Sequence, residues 1–342
     1  MVSLAWLIFP NLAWYFGIAL IVILITAITL WLLNRDEALV KKQKLLEKQD
    51  FQLVKKLFQF FLRELKDRGQ QKQKYRTPWY LFISHDLPAD ETVLSQMGFR
   101  NSTAINIDKQ LPIQIWLKND AVILAVQITN QDYRAVNCIK LLLKQAKTYR
   151  SRQTLNGIIT SQSIDSLLNN NKSYSQQLAN DTRLVIDEAQ VLCGQTLPIY
   201  VLFNQMAGLA DFCQFFASLN EAQLSGSFGA LNNNNPQGKY STTWFEKVFK
   251  TLCQRMGQTV LTALDSQLSE TFRRSAIAAP IQFQQIKSEL SYYLEQLLLA
   301  KSSPQNYKFR GFFFTNTEQH SQVNDPLTKQ VAYQLNFNEM CV

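Results

Sequence analysis

Residues Thr77–Met97, TPWYLFISHDLPADETVLSQM, decide how the rest of the chain is read. The apolar, aromatic run Trp79–Ile83 predicts a buried strand. Asp86, Pro88 and Asp90 then break it into a turn, and an amphipathic run from Glu91 predicts a helix. Strand, tight loop and helix is the setting of a phosphate-binding loop. Such a cradle needs glycines for close backbone approach, a lysine for the phosphates and a Ser/Thr for magnesium. Ser84–Thr92 reads SHDLPADET instead, with neither Gly nor Lys and with three acids that would repel a triphosphate. By its chemistry this is a strand-to-helix junction without a ligand.

Outward from that stretch, Leu111–Leu117 (LPIQIWL) and Ala121–Ile128 (AVILAVQI) predict two strands around a hairpin-like turn at Lys118-Asn119-Asp120. Helices are expected over Gln131–Arg150 and Ser173–Cys193, and strands over Asn156–Ser161 and Leu197–Phe203. Alternating strand and helix is the signature of a parallel sheet covered on both faces. After Phe212 the organisation changes. FCQFFASLNEAQL is helical or capped, Gly226–Lys239 is a polar loop, and Thr242–Phe272 and Ile281–Leu299 predict two long helices. Phe309–Thr315 predicts a last, aromatic strand, and the tail 317–342 is polar with weak alternation over Val331–Phe337. The expected divisions are 1–34, 35–74, an α/β part over 75–211 and 305–316, a helical part over 212–304, and the tail. The end at Cys341-Val342 leaves open a longer native chain.

The 342 residues carry 35 Lys+Arg against 26 Asp+Glu, a formal net charge of +9. The excess is local: Arg35 to Arg76 holds thirteen basic and six acidic residues, a net of +7. A folded domain with so little excess charge lacks the basic patch of a nucleic-acid-binding surface. Cys138, Cys193, Cys213, Cys253 and Cys341 are scattered and odd in number, which favours ordinary thiols in a reducing compartment. With only His85 and His320, a multi-histidine metal site is excluded.

Residues 4–33 contain no charged side chain, and Trp14–Leu33 supplies the roughly 20 apolar residues that a bilayer span needs. A signal peptide would carry a positive region first, and no Lys or Arg precedes Arg35. Trp6, Trp14 and Trp31 fit an interfacial belt, and Pro10-Asn11 is expected to bend the chain into a short interfacial segment. The basic residues after the span place the C-terminal side in the cytoplasm. From Arg35 to Asp67 the pattern is helical, with Leu45, Phe51, Leu53, Leu57, Phe60, Phe61 and Leu65 as its apolar set.

Other candidates read as structure. His85 beside Asp86 could suggest acid–base chemistry, but no nucleophile is placed by motif, and a surface loop histidine is expected. Asp187-Glu188 are adjacent on a helix and do not face each other. Lys140, Lys144 and Lys147 form a solvated stripe. Phe212, Phe215 and Phe216 are core residues.

Taken in order, TPWYLFI from Thr77, WLKNDAVIL from Trp116, YRSRQTLNGIITSQSIDSLL over 149–168, LPIYVLF from Leu197, FCQFFASL from Phe212 and RGFFFTN from Arg310 resemble the GTPase-like region of the IcmF/TssM family. The series covers about residues 75 to 316, and the order of YR.R..LNG, LP.Y and RG.(F/Y)FT is its specific part. The family supplies inner-membrane components of type VI and Dot/Icm-type IVB secretion systems. The resemblance implies a P-loop-GTPase-like, mostly parallel sheet with helices on both faces and helical additions, preceded by the transmembrane helix. It also implies a backbone role for Asn156-Gly157 at the start of a central strand.

The family's nucleotide motifs are lost at each station. The Gly-rich loop falls on Ser84, Leu87, Ala89, Asp90 and Glu91, the aspartate and glycine after the second apolar strand on Ala125 and Ile128, and the base-recognition pair near Gln205 and Ala207. Losing the phosphate cradle and magnesium ligands together removes the electrostatic means of holding a triphosphate. The resemblance therefore implies a pseudo-GTPase without cofactor or enzymatic activity. It would be a scaffold in a multimeric secretion complex at the bacterial inner membrane, single-pass, with its main domain cytoplasmic and a DotU/TssL-like membrane protein as partner. The near-membrane helix and the helical additions are where the partner groove is expected. A nucleotide-dependent switch with an atypical loop and a membrane scaffold outside secretion are the competing classes.

Overall fold

The computed structural model describes residues 5–69, 74–102, 111–129, 133–219, 228–232, 238–266, 269–299 and 307–315. The tail expected over 317–342 lies outside them. The chain divides into two compact units, 1–52 and 53–342.

The described part of the first unit lies within helix α1 (Ala5–Asp67), which runs on through Pro10 and Asn11 where a bend was expected. Among the described residues, no helix is long and apolar enough to cross a membrane. That finding overturns the transmembrane anchor expected between Trp14 and Leu33, and with it the single-pass inner-membrane location and the membrane-anchored form of the fold class. Instead of a separate span that stops before a juxtamembrane segment, one 63-residue helix carries the apolar run directly into the charged residues after Arg35. The side chains of Trp14 and Leu33 are outside the described set.

The second unit opens with the last turns of α1. Val54, Leu57, Phe58, Phe61 and Leu65 are buried, an i, i+3, i+4, i+7 stripe, while Phe51 and Phe60 remain exposed. Past its end at Asp67, Gly69 takes a φ of 71°, the left-handed conformation that suits glycine after a helix. The sheet then collects β1 (Trp79–Ser84), β2 (Arg100–Asn101), β3 (Ile113–Leu117), β4 (Val122–Gln127), β5 (Gly157–Ser163), β6 (Pro198–Asn204), β7 (Gly229–Leu231) and β8 (Lys308–Phe314). Their order is β2-β3-β4-β1-β5-β6-β8-β7. The five strands β4-β1-β5-β6-β8 are parallel, and β2, β3 and β7 pair antiparallel at the edges. The sheet is thus mostly parallel, as expected, and mixed only through the antiparallel strands at its edges. Hairpin chemistry at Lys118–Asp120 sets one edge, with Lys118 N donating to Ala121 O at 2.9 Å.

Strand alternation sorts the core into two faces. Trp79, Leu81, Ile83, Val122, Leu124 and Val126 point to one, and Tyr80, Phe82, Ile123 and Ala125 to the other. The first face carries α1's end together with α3 (Tyr133–Tyr149), α4 (Ile164–Asn169), α5 (Lys172–Cys193), α6 (Ala210–Ala217), α7 (Thr242–Ser266), α8 (Glu270–Gln285) and α9 (Lys287–Leu298). Among the described helices, α2 (Leu87–Gln96) alone covers the second, through Leu87, Val93 and Leu94. The two long helices expected after residue 242 are three. Ser269 caps α8 by accepting from Phe272 N at 3.3 Å, and α8 runs through Pro280 and stops at Ile286.

The motifs that carried the resemblance are packing devices. Arg150 is fully buried with its guanidinium 4.9 Å from the Trp79 ring, and Trp79 stacks on Tyr149 at 5.9 Å. Asn156 Oδ1 accepts from Trp79 N at 2.9 Å while Asn156 N donates to Trp79 O at 2.7 Å, which fixes the start of β1 beside β5. A Cβ on Gly157 would meet Pro198 O and Tyr80 Cε1 at 3.1 Å, so glycine lets the strands approach here without crowding.

Candidate functional site at the strand ends

The chain leaves β1 for β4 on one side and crosses from β4 to β5 on the other, so the carboxyl end of β1 is a switch point. Polar residues mark the carboxyl ends of three apolar strands here: Ser84 closes β1, Asn204 closes β6, and Ser161 stands two residues before the end of β5. Asp90, in the first turn of α2, lies among them at 2 % exposure. Its carboxyl accepts from Ser84 Oγ at 2.6 Å, from Ser161 Oγ at 2.8 Å, and from Asn204 Nδ2. Asn204 Nδ2 also donates to Ser161 Oγ at 2.9 Å. Burial pushes the Asp90 carboxyl up to about 7; the hydrogen bonds from Ser84 and Ser161 pull the other way, and the charge of Asp86 adds to the rise.

The remaining loop residues have structural duties. Asp86 caps α2 by accepting from Ala89 N at 3.4 Å, and its other oxygen accepts from Gln205 Nε2 at 3.1 Å. Leu87 and Ala89 are buried, and Glu91 accepts from Gln114 Nε2 at 2.7 Å. Ala125 is buried on β4, and Ile128 N donates to Ser84 O at 2.8 Å, tying the ends of β4 and β1. Gln205 has a φ of 51°, unusual for a side-chain-bearing residue. Ala207 N and Gly208 N donate to the two Asp165 oxygens at 3.0 and 2.9 Å. Of the residues expected at the lost motifs, the structure brings Ser84, Asp90 and Gln205 to one place and leaves Ala125 and Ile128 in the core.

His85, expected at the surface, is half-buried with Nε2 2.9 Å from Thr182 Oγ1. Thr182 gives its own hydrogen to Leu178 O at 2.9 Å, so the histidine is the donor. Burial lowers His85 to about 4, and the ring is neutral at physiological pH. His85, Asp86, Asp90, Ser161, Asn204 and Gln205 line an open cavity of ≈ 260 Å3, together with Gln162, Ser163, Ser166, Tyr174 and Leu178. Ser161, Asn204, Gln162 and Asp165 were missed from sequence. The available signal was a polar residue at the carboxyl end of each of three apolar strands.

Comparison with protein families matches residues 139–340 to the IcmF-related N-terminal domain. That stretch is more than half of the chain. The chain belongs to the IcmF-related family. Family membership supports the expected non-enzymatic, structural character of the chain. No curated protein matches it. Among solved structures, the ADP-ribosylation factor-like GTP-binding protein, or small COPII coat GTPase SAR1, of Encephalitozoon cuniculi in complex with GDP is similar at 9% identity. The match covers 88% of this chain and 91% of that one with a TM-score of 0.32, too low for ligand or fold to follow from it.

Proposed function

We propose that this IcmF-related chain is a structural, non-catalytic subunit of a bacterial secretion complex, of type VI or Dot/Icm-like type IVB, that binds a DotU/TssL-like companion protein. The observation that carries the reading is the family match over 139–340. The strand-end chemistry supports its non-catalytic part. Asp90 occupies the loop where a phosphate cradle would need positive charge, and the described wall of the cavity holds neither Lys nor Arg. Ser84, Leu87, Ala89, Asp90 and Glu91, with Ala125, Ile128, Gln205 and Ala207, are on this reading the remnants of nucleotide motifs, kept for shape. Affinity capture of the tagged full chain from its native cells, followed by mass spectrometry, tests the role. Near-stoichiometric recovery of a DotU/TssL-like protein is the expected result, and repeated recovery of the chain without any secretion subunit refutes it. The same preparation is expected to show no shift of its melting temperature with GTP or ATP plus magnesium. A saturable upward shift would favour the nucleotide switch.

A further inference from the structure

Helices α7 and α8 form an antiparallel pair with an open apolar groove on its outer side. Phe249 stacks on Phe283 at 4.6 Å, and the chain turns back between Ser266 and Glu270, so α7 runs toward the turn beside α8 running away from it. On α7, Glu246, Cys253, Gly257 and Leu264 fall on one edge at i, i+7, i+11 and i+18. Glu246 Oε1 pairs at 3.9 Å with Lys287 Nζ, just past the end of α8, so this edge is the one that faces α8. On α8, Gln282 Nε2 donates to Asp211 Oδ2 of α6 at 2.8 Å, which turns the opposite edge, with Arg273 and Ile277, toward α7. Leu261, one turn beyond Gly257, therefore borders the same groove as Ile277 and Ile281. These three side chains are 68 %, 62 % and 59 % exposed. Gly257 deepens the groove, since a Cβ there would meet no atom within 4 Å. Glycine inside a helix is less favourable than alanine, and no packing within the chain asks for it at this position. What it leaves is room for another backbone to come close.

We propose that the α7–α8 groove docks an acidic amphipathic helix of another protein, with Gly257 at the point of closest approach. Charge selects the partner. Lys250 lies on the Gly257 side of α7, and Arg273 and Arg274 stand near the start of α8. All three are exposed, and among the described residues none of them makes an ion pair. Residues 242–285 hold five basic side chains against three acids, and one of those acids, Glu246, is already paired with Lys287. An acidic segment is therefore attracted to this face and a basic one repelled. A helix suits its shape. The groove follows two helix axes, Ile277 and Ile281 stand one turn apart, and apolar anchors at i, i+3 and i+4 of an incoming helix meet that spacing. From Lys250 to Leu261 the groove runs about 16 Å at 1.5 Å per residue, three turns of a docked helix. The surface is independent of which secretion complex, if any, the chain joins.

Photocrosslinking of the full tagged chain in its native cells tests this, with p-benzoylphenylalanine replacing Ile281 and, as a control, the exposed Leu184 of α5. Mass spectrometry then identifies the crosslinked peptide. The expected product forms at position 281 and not at 184, and joins one other protein at a segment with net negative charge and apolar residues at i and i+4. Arg273→Glu together with Arg274→Glu is expected to cut its yield roughly tenfold. Gly257→Ala is expected to raise the melting temperature of the isolated chain and yet lower the yield several-fold, a pairing that a glycine of purely structural use would not give. Melting curves at or above the parent's establish that the variants are folded. A crosslink to a second copy of this chain, or to a segment without acidic charge, overturns the proposal. So does the lack of any protein crosslink specific to position 281, or a yield that both sets of substitutions leave unchanged. An acidic helix from a protein outside any secretion complex would uphold this surface while counting against the subunit role proposed above.

Discussion

Replacing Asp90 by asparagine is expected to change stability in a direction that depends on pH. In the folded chain the carboxyl holds its proton up to about 7, against an ordinary 3.8. Between those values the folded state binds a proton that the unfolded state has released, so stability falls as pH rises from about 4 to about 7. Below 4 both states are protonated and the penalty is absent; above 7 both are ionised and it is complete. At 1.36 kcal/mol per pH unit, the window is worth roughly 4 kcal/mol. The amide variant has no such window. At the acid end the swap is nearly neutral, because the amide oxygen still accepts from Ser161 and Asn204. Its NH2 faces Ser84 Oγ, which already accepts from Asp86 N at 3.0 Å and gives up a donor role worth about 1 kcal/mol.

Urea unfolding of parent and Asp90→Asn full chains, followed by circular dichroism from about pH 4.5 to 8.5, reads this out as a difference. His85 and every other titrating group cancel unless they touch residue 90. The variant should be slightly the less stable at pH 4.5, overtake the parent on the way up, and lead by about 3 kcal/mol at pH 8. A difference that stays flat over the range would refute the reasoning. It would mean that Asp90 is ionised throughout and that its three donors outweigh burial.

Gly311 has a φ of 155°, and an added Cβ would sit 2.2 Å from Ala230 O. Gly311→Ala should therefore part β7 from β8, cost about 3 kcal/mol, and expose the amides of 229–231 to hydrogen exchange. Arg150→Ala removes a buried guanidinium from the faces of Trp79 and Tyr75, and a loss of about 2–4 kcal/mol in denaturant unfolding is expected, with only partial recovery in Arg150→Lys. Asp165→Ala frees the amides of Ala207 and Gly208; it should cost about 1 kcal/mol overall and speed exchange at those two positions, whereas unchanged exchange there would disprove the clamp.

The central strands were legible because they are buried on both faces: WYLFIS of β1 has no exposed residue, and such runs are short, apolar and bounded by turn residues. The hairpin from β3 to β4 was legible from Lys118-Asn119-Asp120. The edges were not. β2 and β7 are two and three residues long, too short for alternation to register. The break between α7 and α8 was hidden because Ser269 sits in an unbroken helical pattern and reveals itself only by bonding Phe272 N. At the site, the lost phosphate chemistry could be read directly from SHDLPADET. The use of Asp90 could not, because its partners lie 71 and 114 residues away in sequence and meet only through strand register. The apolar run of α1 misled because a sequence window showed a separate span followed by a juxtamembrane segment, whereas among the described residues there is one helix, Ala5–Asp67, and none long and apolar enough to cross a membrane.

These facts together explain how a switch-point crevice keeps its geometry without a nucleotide. In a working phosphate site, metal and phosphate oxygens draw the first loop and neighbouring strand ends together. Here one carboxyl accepts from β1, β5 and β6 at once while its backbone begins α2, so the loop, helix and three strand ends are joined by side chains alone. Ile128 N to Ser84 O adds β4, and Thr315 N to Phe203 O at 2.8 Å adds the strand beyond β6. Such a network is most valuable when every donor is satisfied, and least compatible with an arriving triphosphate, whose charge would meet the Asp86 carboxylate and, above about pH 7, that of Asp90 as well. The side chain that stands where a phosphate cradle would need a cation is therefore also the acceptor that joins the three strand ends. Placing a lysine at position 90 would not recreate a phosphate cradle: it would set a cation against Ser84, Ser161 and Asn204 Nδ2, three groups arranged to donate, and unfolding of the strand ends is the expected result.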